Sequence, residues 1–321
     1  MLRNFLEAEK LIRQAQNILL ATHEQADGDA IGSLLALKLG LGKFGKKVEA
    51  LMPSSTVPQF NFLPGFIDLK TDAAKHNHDL IIGLDYGSPE RLGIEQSALE
   101  NKKFITIDHH LVGRHLGLKI VEKNCSSTSE LIYQLLLFLG VPISFEIATC
   151  ILAGIFSDTA GFRHANTSAR TLKIAGELLT RGAPLQKIAK AENSFYFTPA
   201  GLKSWVTAFK NLEVDQQAGM ISTLITQKDC PSINGDWKGS AIVSLLSMVP
   251  EIKFALLCLE KQPGKIDCSL RSQKDRGFNV AAIAQRFGGG GHKLAAGFQT
   301  TDSPQEIVTK IKNLALDNFS A

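Results

Sequence analysis

The chain has 321 residues, 44% of them hydrophobic, a length that suits two domains and a composition that excludes disordered and collagen-like proteins. Its formal net charge of +4 is too small to predict non-specific binding to nucleic-acid duplexes through the overall field. No apolar run approaches the ~18–20 residues that cross a bilayer, and the N-terminal stretch has no small-residue cleavage site. The five cysteines form no C-x-x-C pair, which indicates reduced, mostly buried thiols in a cytoplasmic protein (Cys125, Cys150, Cys230, Cys258 and Cys268).

Short apolar strands alternate with helical patterns through the first half of the chain. We predict strands over residues 17–22, 47–52, 80–84 and 104–107. Helices are predicted over residues 7–16, 32–44, 129–139, 145–156 and 166–181, with Thr167 or Ser168 as the cap of the last one. Alternation of this kind predicts an α/β domain with a parallel sheet and helices on both faces.

The pattern changes from about residue 185 onwards. A polar helix over 187–193, an aromatic-rich stretch over 194–198 and a helix that begins near Pro199 indicate a linker over 191–212. Beyond it we expect two strands joined by a turn, a hairpin around Pro263-Gly264, and helices over 241–248, 280–287 and 304–316. The sequence therefore predicts a first domain over 1–190 and a smaller, mixed α/β domain over 213–321.

A polar cluster follows the first predicted strand. His23, Asp27 and Asp29 lie between that strand and the next helix, and Gly28 eases the turn. In an open α/β sheet, side chains at the carboxyl end of a strand can point into the crevice where such folds bind substrates. Three hard ligands so close together are typical of a metal site, and a solvated polar loop is the alternative.

Two further strands end in residues that can ligate a metal. Asp85 ends the strand over 80–84, where a helix or turn cap is the alternative role. Asp108, His109 and His110 end the strand over 104–107, where core or surface histidines are the alternative. Because neighbouring side chains point apart, one histidine can bind metal while the other faces a substrate. The aspartate can fix a histidine tautomer.

Asp158 follows the helix over 145–156, in a stretch that ordinary turn chemistry also explains. Together with the three preceding clusters it completes six or seven hard ligands without a cysteine. That set indicates two divalent cations that share a carboxylate, with Mn²⁺ favoured and Mg²⁺ or Co²⁺ as alternatives. Two such cations catalyse phosphoryl transfer or phosphoester hydrolysis, and the absence of a Walker A loop argues against an NTP-driven mechanism.

A glycine run lies in the C-terminal domain, inside a basic stretch. Residues 271–293 carry five basic side chains against one acidic side chain. The run lets the backbone approach a ligand closely and exposes amide groups to an anion, while Arg271 and His292 can donate to a phosphate. A flexible loop with a solvated basic face is the alternative. The run consists of Gly288, Gly289, Gly290 and Gly291.

These motifs occur in an order that resembles a known family. H-x-x-x-D-x-D, a lone Asp after a strand, D-H-H and a later Asp resemble the DHH phosphoesterase superfamily, and GGGGH with AAGF resembles its DHHA1 nucleic-acid-binding domain. The resemblance covers nearly the whole chain. With these two domains, the chain is similar to the nano-RNase group, oligoribonucleases that also act as 3′-phosphoadenosine-5′-phosphate phosphatases. Ala26 departs from the pattern, since relatives often carry proline there. The alanine loosens the turn but removes no ligand.

The resemblance implies a role for each matching residue, with the active site in the cleft between the two domains. It implies that one cation is held by His23, Asp27 and Asp85, and the other by Asp29, Asp85, His109 and Asp158, with Asp85 as the bridge. Asp108 would then support the ligands, and His110 would face the scissile phosphate to stabilise its charge or protonate the leaving group. The implied substrate contacts are Arg163, Asn166 and Thr167 in the first domain, and Arg271, Gly288, Gly289, Gly290, Gly291 and His292 in the second.

The leading hypothesis is a Mn²⁺-dependent phosphodiesterase or exonuclease. Its expected substrates are very short RNA or DNA oligonucleotides, linear dinucleotides such as pGpG and pApA, and 3′-phosphoadenosine-5′-phosphate. A modest basic patch holds a few phosphates, whereas long single strands need an extended groove with stacking aromatics. The preference for RNA or DNA, the direction of attack and the existence of a homodimer are left open by the sequence.

Four alternatives are weighed against this hypothesis. A RecJ-like single-strand DNA exonuclease shares the motifs but normally carries an additional OB-type domain. A family II inorganic pyrophosphatase has a different, Lys/Arg-rich C-terminal signature, and the GGGGH motif argues against it. A cyclic-dinucleotide phosphodiesterase would be expected to carry a sensory or membrane domain. A non-catalytic nucleotide-binding module predicts binding without turnover.

Overall fold

The structure is a computed structural model that describes residues 2–53, 57–72, 78–99, 102–110, 113–192, 198–229 and 239–317. The chain divides into two compact units, Met1–Ser194 and Phe195–Ala321. The predicted linker limits at 190 and 212 stay predictions, and residues 194–197 of its aromatic-rich stretch lie outside the described residues, as does Cys230. The four cysteines within the described ranges are buried and form no disulfide. None of the helices in these ranges is long and apolar enough to cross a bilayer.

The first unit contains a parallel five-stranded sheet with the strand order β2-β1-β3-β4-β5. The strands are β1 (Asn17–Ala21), β2 (Lys47–Leu51), β3 (Leu80–Leu84), β4 (Lys103–Asp108) and β5 (Leu118–Val121). The parallel sheet is confirmed, and its first four strands match the predicted ranges closely. The sequence prediction missed β5, because this edge strand buries only Ile120 fully and so lacks the continuous apolar run of a central strand.

Seven helices are described in the first unit. They are α1 (Leu2–Gln14), α2 (Gly28–Gly42), α3 (Gln96–Leu99), α4 (Thr128–Phe138), α5 (Phe145–Asp158), α6 (Ala169–Thr180) and α7 (Leu185–Glu192). Ser168 caps α6 in a capping box with Thr171, as one of the two predicted caps. Helix α5 runs two residues beyond its predicted end, so Asp158 is its last residue.

Helices cover the two faces of this sheet unequally. One face carries the main core, where Leu20, Ile82 and Ile105 pack with buried residues of α1, α2, α4 and α5. The other face buries Leu19 and Ile81 against a turn-rich stretch after β3, in which α3 is only four residues long. Helix α2 lies so close to α5 that a β-carbon at Gly32 would clash with the carbonyl oxygen of Cys150.

The second unit contains a mixed six-stranded sheet with the strand order β10-β11-β9-β8-β7-β6, in which only β7 and β8 are parallel. Its elements are α8 (Pro199–Lys210), β6 (Leu212–Asp215), β7 (Met220–Ile225), α9 (Ser240–Leu246), β8 (Phe254–Gln262), β9 (Lys265–Ser272), α10 (Val280–Arg286), β10 (Gly290–His292), β11 (Ala295–Thr300) and α11 (Pro304–Asp317). The mixed α/β class and the predicted hairpin are confirmed. The sequence prediction missed β10 and β11, because glycine is depleted in strands and no strand is expected over the glycine run at 288–291.

The contact of α2 with α5 yields a stability test that compares the same substitution at two helical glycines. Gly32→Ala should lower the free energy of unfolding by about 1–3 kcal/mol, because the added methyl group meets backbone atoms of α5. Gly176→Ala should be neutral or raise it by up to about 1 kcal/mol, since a β-carbon there meets nothing within 4 Å and alanine favours the helix. Urea unfolding of both variants measures the difference, and equal effects would contradict the close packing.

Candidate metal centre

The sheet topology brings the predicted metal ligands together. Strands β1, β3 and β4 are neighbours in the parallel sheet, so their carboxyl ends lie side by side. His23 follows β1, Asp85 follows β3 and Asp108 ends β4. The first turn of α2 and the last residue of α5 add the remaining acids. Three groups of His and Asp side chains result, each with donor atoms within 4.8 Å of one another.

The first group consists of His23, Asp27 and Asp85. The imidazole Nε2 of His23 lies 3.9 Å from Oδ2 of Asp85. On the other side of the ring, Nδ1 lies 2.6 Å from the carbonyl oxygen of Glu24, and the tautomer that donates to this oxygen leaves Nε2 with a lone pair for a cation. Asp27 caps α2 by accepting from two backbone amides through one oxygen.

The second group consists of Asp29, His109 and Asp158. Nε2 of His109 lies 3.3 Å from Oδ2 of Asp158 and 3.7 Å from Oδ1 of Asp85. This nitrogen is buried and has no hydrogen-bond partner among the described residues. A buried nitrogen facing carboxylates without a hydrogen bond fits a metal ligand. Oδ2 of Asp85 thus faces His23 of the first group and Oδ1 faces His109 of the second, an arrangement that lets one carboxylate bind two cations.

His110 also lies within ligand distance of the cluster, because it forms the third group with Asp85 and His109. Its Nδ1 lies 3.4 Å from Oδ1 of Asp85, and it donates to Oδ1 of Asp108 at 2.9 Å. Asp108 itself belongs to none of the three groups and accepts from the backbone amides of Gly87 and His110. It also lies 3.6 Å from Nε2 of His115, a histidine that the sequence reasoning missed. Asp108 therefore holds side chains in place, whereas His110 stands at the edge of the ligand cluster.

Burial and crowding shift the pKa values of these groups. Burial raises the pKa of Asp29, Asp85 and Asp158, and neighbouring carboxylates raise it further. Burial opposes the charged form of Asp108, but hydrogen bonds from His110 outweigh it and lower the pKa of this carboxyl to about 2. Burial likewise opposes protonation of His110, but its bonds to Asp108 and Asp85 raise its pKa to about 11. The cluster carries more buried acid than base, so it favours a bound cation.

Backbone strain is concentrated at the same place. Among the described residues, four non-glycine residues have φ in the left-handed region: Gln25 (60°), Asp85 (53°), Ala160 (47°) and Phe162 (66°). Asp85 belongs to the first group of potential ligands, Gln25 lies between His23 and Asp27, and the other two closely follow Asp158. Each such residue costs about 1 kcal/mol or more, and strain of this kind clusters at functional sites. The strain supports a functional role for the cluster independently of its residue types.

A segment of four small polar residues, which we call the Ser/Thr segment (126–129), holds two of the buried acids. The amides of Thr128 and Ser129 donate to the two oxygens of Asp29 at 2.6 and 2.9 Å. The hydroxyl of Thr128 donates to Oδ1 of Asp85 at 3.1 Å. These two amides belong to the first turn of α4, where the helix dipole also favours a carboxylate.

The sequence reasoning missed this segment, although one signal was available. Ser127 and Glu130 have the spacing of a helix-capping box, and Ser127 does cap α4. Arg91 was missed as well, and its Nη2 lies 2.9 Å from Nδ1 of His23. No sequence signal distinguishes Arg91 or His115 from ordinary surface residues.

The predicted substrate residues of the first unit follow α5. Arg163 is exposed, and its Nε donates to the carbonyl oxygen of Ala160 at 2.7 Å. The side-chain amide of Asn166 donates to the carbonyl oxygens of Ser126 and Asp158, so it ties α4 to α5. The hydroxyl of Thr167 is buried without a partner among the described residues. Substrate contacts of these three residues stay predictions.

In the second unit, Arg271 and His292 lie on one face of the sheet. Ala295 of β11 pairs with His292 of β10 on one side and with Arg271 of β9 on the other. Directly paired residues share a face, so only a methyl group separates the two basic side chains. The next row on this face is Gly290, Gly297 and Ser269, which are all small. We call these six residues the small-residue platform.

The glycine run is not the flexible loop that the sequence left as the alternative, since Gly290–His292 forms an edge strand. A β-carbon at Gly289 or Gly291 would clash with strand β11, so the backbone requires glycine at these positions. Gly288 has φ of 73°, which also favours glycine. Gly290 has neither constraint, because its β-carbon would meet nothing within 4 Å. The missing side chain at Gly290 therefore leaves space on the small-residue platform.

Comparison with known proteins gives matches to two family models and to curated relatives. Residues 17–155 match the DHH family, N-terminal domain, and residues 231–319 match the DHHA1 domain. The bifunctional oligoribonuclease and PAP phosphatase NrnA of Thermus thermophilus is 31% identical, over 91% of this chain and 86% of its own length.

Solved structures share this fold. An exopolyphosphatase-related protein from Bacteroides fragilis has a TM-score of 0.88 and 26% identity, covering 99% of this chain and 97% of its own. RecJ from Thermus thermophilus, solved in complex with Mn²⁺, has a TM-score of 0.58 and 17% identity, covering 98% of this chain and 54% of its own. At this identity, the likeness to RecJ shows the fold alone.

The raised pKa values predict that the metal-free protein loses stability as the pH rises from 6.5 to about 9, a range that follows from the pKa of His110. Asp29, Asp85 and Asp158 have pKa values raised above 3.8, so the folded protein retains protons that the unfolded chain releases. His110 acts in the same direction above 6.5, because its pKa is about 11 when folded. Urea unfolding at several pH values across this range, with a chelator present, measures how the free energy of unfolding changes with pH. Stability that increases with pH would contradict the assignment, and added Mn²⁺ should reduce the slope by replacing the protons.

Proposed function

Because this chain belongs to the DHH family and carries a DHHA1 domain, we propose that it is a metal-dependent phosphoesterase that hydrolyses very short oligonucleotides. The proposed substrates include linear dinucleotides and 3′-phosphoadenosine-5′-phosphate. This agrees with the name of its relative from Thermus thermophilus, a bifunctional oligoribonuclease and PAP phosphatase.

The observation that carries the proposal is the division of Asp85 between two ligand groups. Its Oδ2 faces His23 and its Oδ1 faces His109, so one carboxylate can serve two cations. The residues that would hold the first cation are His23, Asp27 and Asp85, and those that would hold the second are Asp29, Asp85, His109 and Asp158. When bound, two divalent cations supply a nucleophilic hydroxide at neutral pH and stabilise the charge of the phosphoryl oxygens. We propose Mn²⁺ as the metal, with Mg²⁺ and Co²⁺ as the ions to compare.

His110 is the proposed proton donor of the reaction. Asp108 accepts from Nδ1 of His110, which fixes the ring orientation and directs Nε2 away from this carboxylate. An imidazole held in this way can donate to a phosphoryl oxygen or to the leaving group. Asp108 accepts from Gly87 and His110 amides as well, so its own position is fixed by the backbone.

The small-residue platform is the proposed contact for the rest of the nucleotide. Arg271 and His292 on one face can donate to a distal phosphate, and the row with Gly290 leaves space for a sugar or base beside them. A platform with two basic side chains suits a substrate with few phosphates. Arg163, Asn166 and Thr167 are proposed as further contacts from the first unit.

Replacing Asp85 by Asn should abolish turnover and leave the fold intact. Loss of the shared negative charge weakens both cation sites, so we expect activity to fall by about a thousandfold or more. Asp79→Asn is the matched control at the opposite end of β3, where the carboxylate accepts from backbone amides of Gln16 and Asn17. Dinucleotide hydrolysis with Mn²⁺ measures both variants. Near-native activity in Asp85→Asn, with its circular dichroism unchanged, would refute the shared ligand.

Substrate length separates the proposal from a RecJ-like exonuclease and from a non-catalytic binding module. We expect the catalytic efficiency to be highest for two to about five nucleotides and to fall towards about twenty, because a small platform holds few phosphates. The panel compares RNA, DNA and 3′-phosphoadenosine-5′-phosphate, each with Mn²⁺, Mg²⁺ and Co²⁺. Efficiency that increases with length would favour a RecJ-like exonuclease. Binding without turnover of any substrate would favour the binding module.

A further inference from the structure

We propose that Glu130 is a positioning residue for the metal centre. It holds the Ser/Thr segment in the conformation that fixes Asp29 and Asp85. Glu130 is fully buried and lies in none of the ligand groups. The inference rests on the proposed function, because it assigns a role toward the cations that these acids would bind.

The Ser/Thr segment contacts both acids through atoms whose position depends on the backbone. Two adjacent amides, of Thr128 and Ser129, bond to the two oxygens of Asp29, and the Thr128 hydroxyl bonds to Asp85. A carboxylate oxygen can accept such a bond and still offer a lone pair to a cation. A shift of this segment would therefore move Asp29 and Asp85 together.

Glu130 holds the segment at its first residue. Its Oε2 accepts from both the backbone amide and the hydroxyl of Ser126, at 3.1 and 2.6 Å. Ser126 and Thr128 are two residues apart, so this anchor lies next to the amides that bond to Asp29. The backbone amide of Glu130 in turn donates to the hydroxyl of Ser127, the cap of α4.

Helix α6 fixes the carboxylate from the other side. Nε of Arg170 lies 2.6 Å from Oε1 of Glu130, and the hydroxyl of Thr171 donates to Oε2 at 2.9 Å. The glutamate therefore has an ion-pair partner and three further hydrogen bonds, so its charge is satisfied despite complete burial. A continuous chain of contacts leads from α6 through Glu130 and Ser126 to Asp29.

The chain also contains a matched control. Glu177 of α6 accepts from the hydroxyl of Tyr133 of α4, so it joins the same two helices. Neither side chain bonds to the Ser/Thr segment in any described hydrogen bond. Glu130→Gln and Glu177→Gln therefore remove one carboxylate charge each between α4 and α6, and only the first removes the support of the metal ligands.

The test is the affinity for Mn²⁺, measured by calorimetric titration without substrate. We expect Glu130→Gln to weaken binding by about 10-fold or more, as for other residues that orient metal ligands, and Glu177→Gln to change it less than about threefold. In activity assays, the Mn²⁺ concentration for half-maximal rate should rise in Glu130→Gln, while the rate at saturating Mn²⁺ stays within about threefold of native. Equal affinities in native protein and Glu130→Gln would overturn the inference, whatever the loss of thermal stability.

A milder pair of variants applies if Glu130→Gln does not fold. Ser126→Ala removes one hydroxyl donor to Glu130, and Tyr133→Phe removes one hydroxyl donor to Glu177. We expect weaker Mn²⁺ binding only in Ser126→Ala, and unchanged affinity there would overturn the inference. A native protein that binds no Mn²⁺ would overturn the proposed metal centre and this inference with it, whereas unchanged affinity in the variants would overturn the inference alone.

Discussion

The concentration of carboxylates at the carboxyl ends of the first sheet is the constraint on which the rest of the structure depends. Asp29 and Asp85 are almost completely buried, and their pKa values are raised by burial and by neighbouring acids. Buried like charges are unfavourable unless protons or cations compensate them. Keeping these groups together therefore lowers the stability of the fold, unless a proton or a bound cation compensates their charge.

The surrounding structure explains how this arrangement persists. Asp85 is held in a left-handed backbone conformation that aspartate tolerates better than most residues. Asp29 is bonded to two amides of the first turn of α4, which compensate its charge when no cation is bound. The backbone strain at Asp85 and the hydrogen bonds to Asp29 thus both lie within the ligand cluster. The apolar core of α2, α4 and α5 supplies the stability that offsets the strain.

In the second unit, the proposed contact for the nucleotide consists of small and basic residues instead of carboxylates. Four of its six platform residues are glycine, alanine or serine, and the two basic residues, Arg271 and His292, stand at the margin on either side of Ala295. Two of the glycines, Gly289 and Gly291, are required by the backbone itself, so a glycine run is not evidence of a binding loop at every position. Gly290 is the exception, and the functional interpretation depends on that position.

The sequence by itself determined the strand–helix alternation, the parallel sheet and every predicted ligand that the structure brings together, from His23 to Asp158. The sheet is confirmed and the predicted ligands lie close together because strand ends and short motifs are local, and because a parallel sheet places successive strand ends at one edge. Only the tertiary structure decided which oxygen of Asp85 faces each histidine, that Glu130 bonds to Ser126, and that Arg271 and His292 flank Ala295 on one face. Those relations depend on contacts between residues distant in sequence, such as Asp29 with Thr128 and Glu130 with Arg170, and no local pattern encodes them.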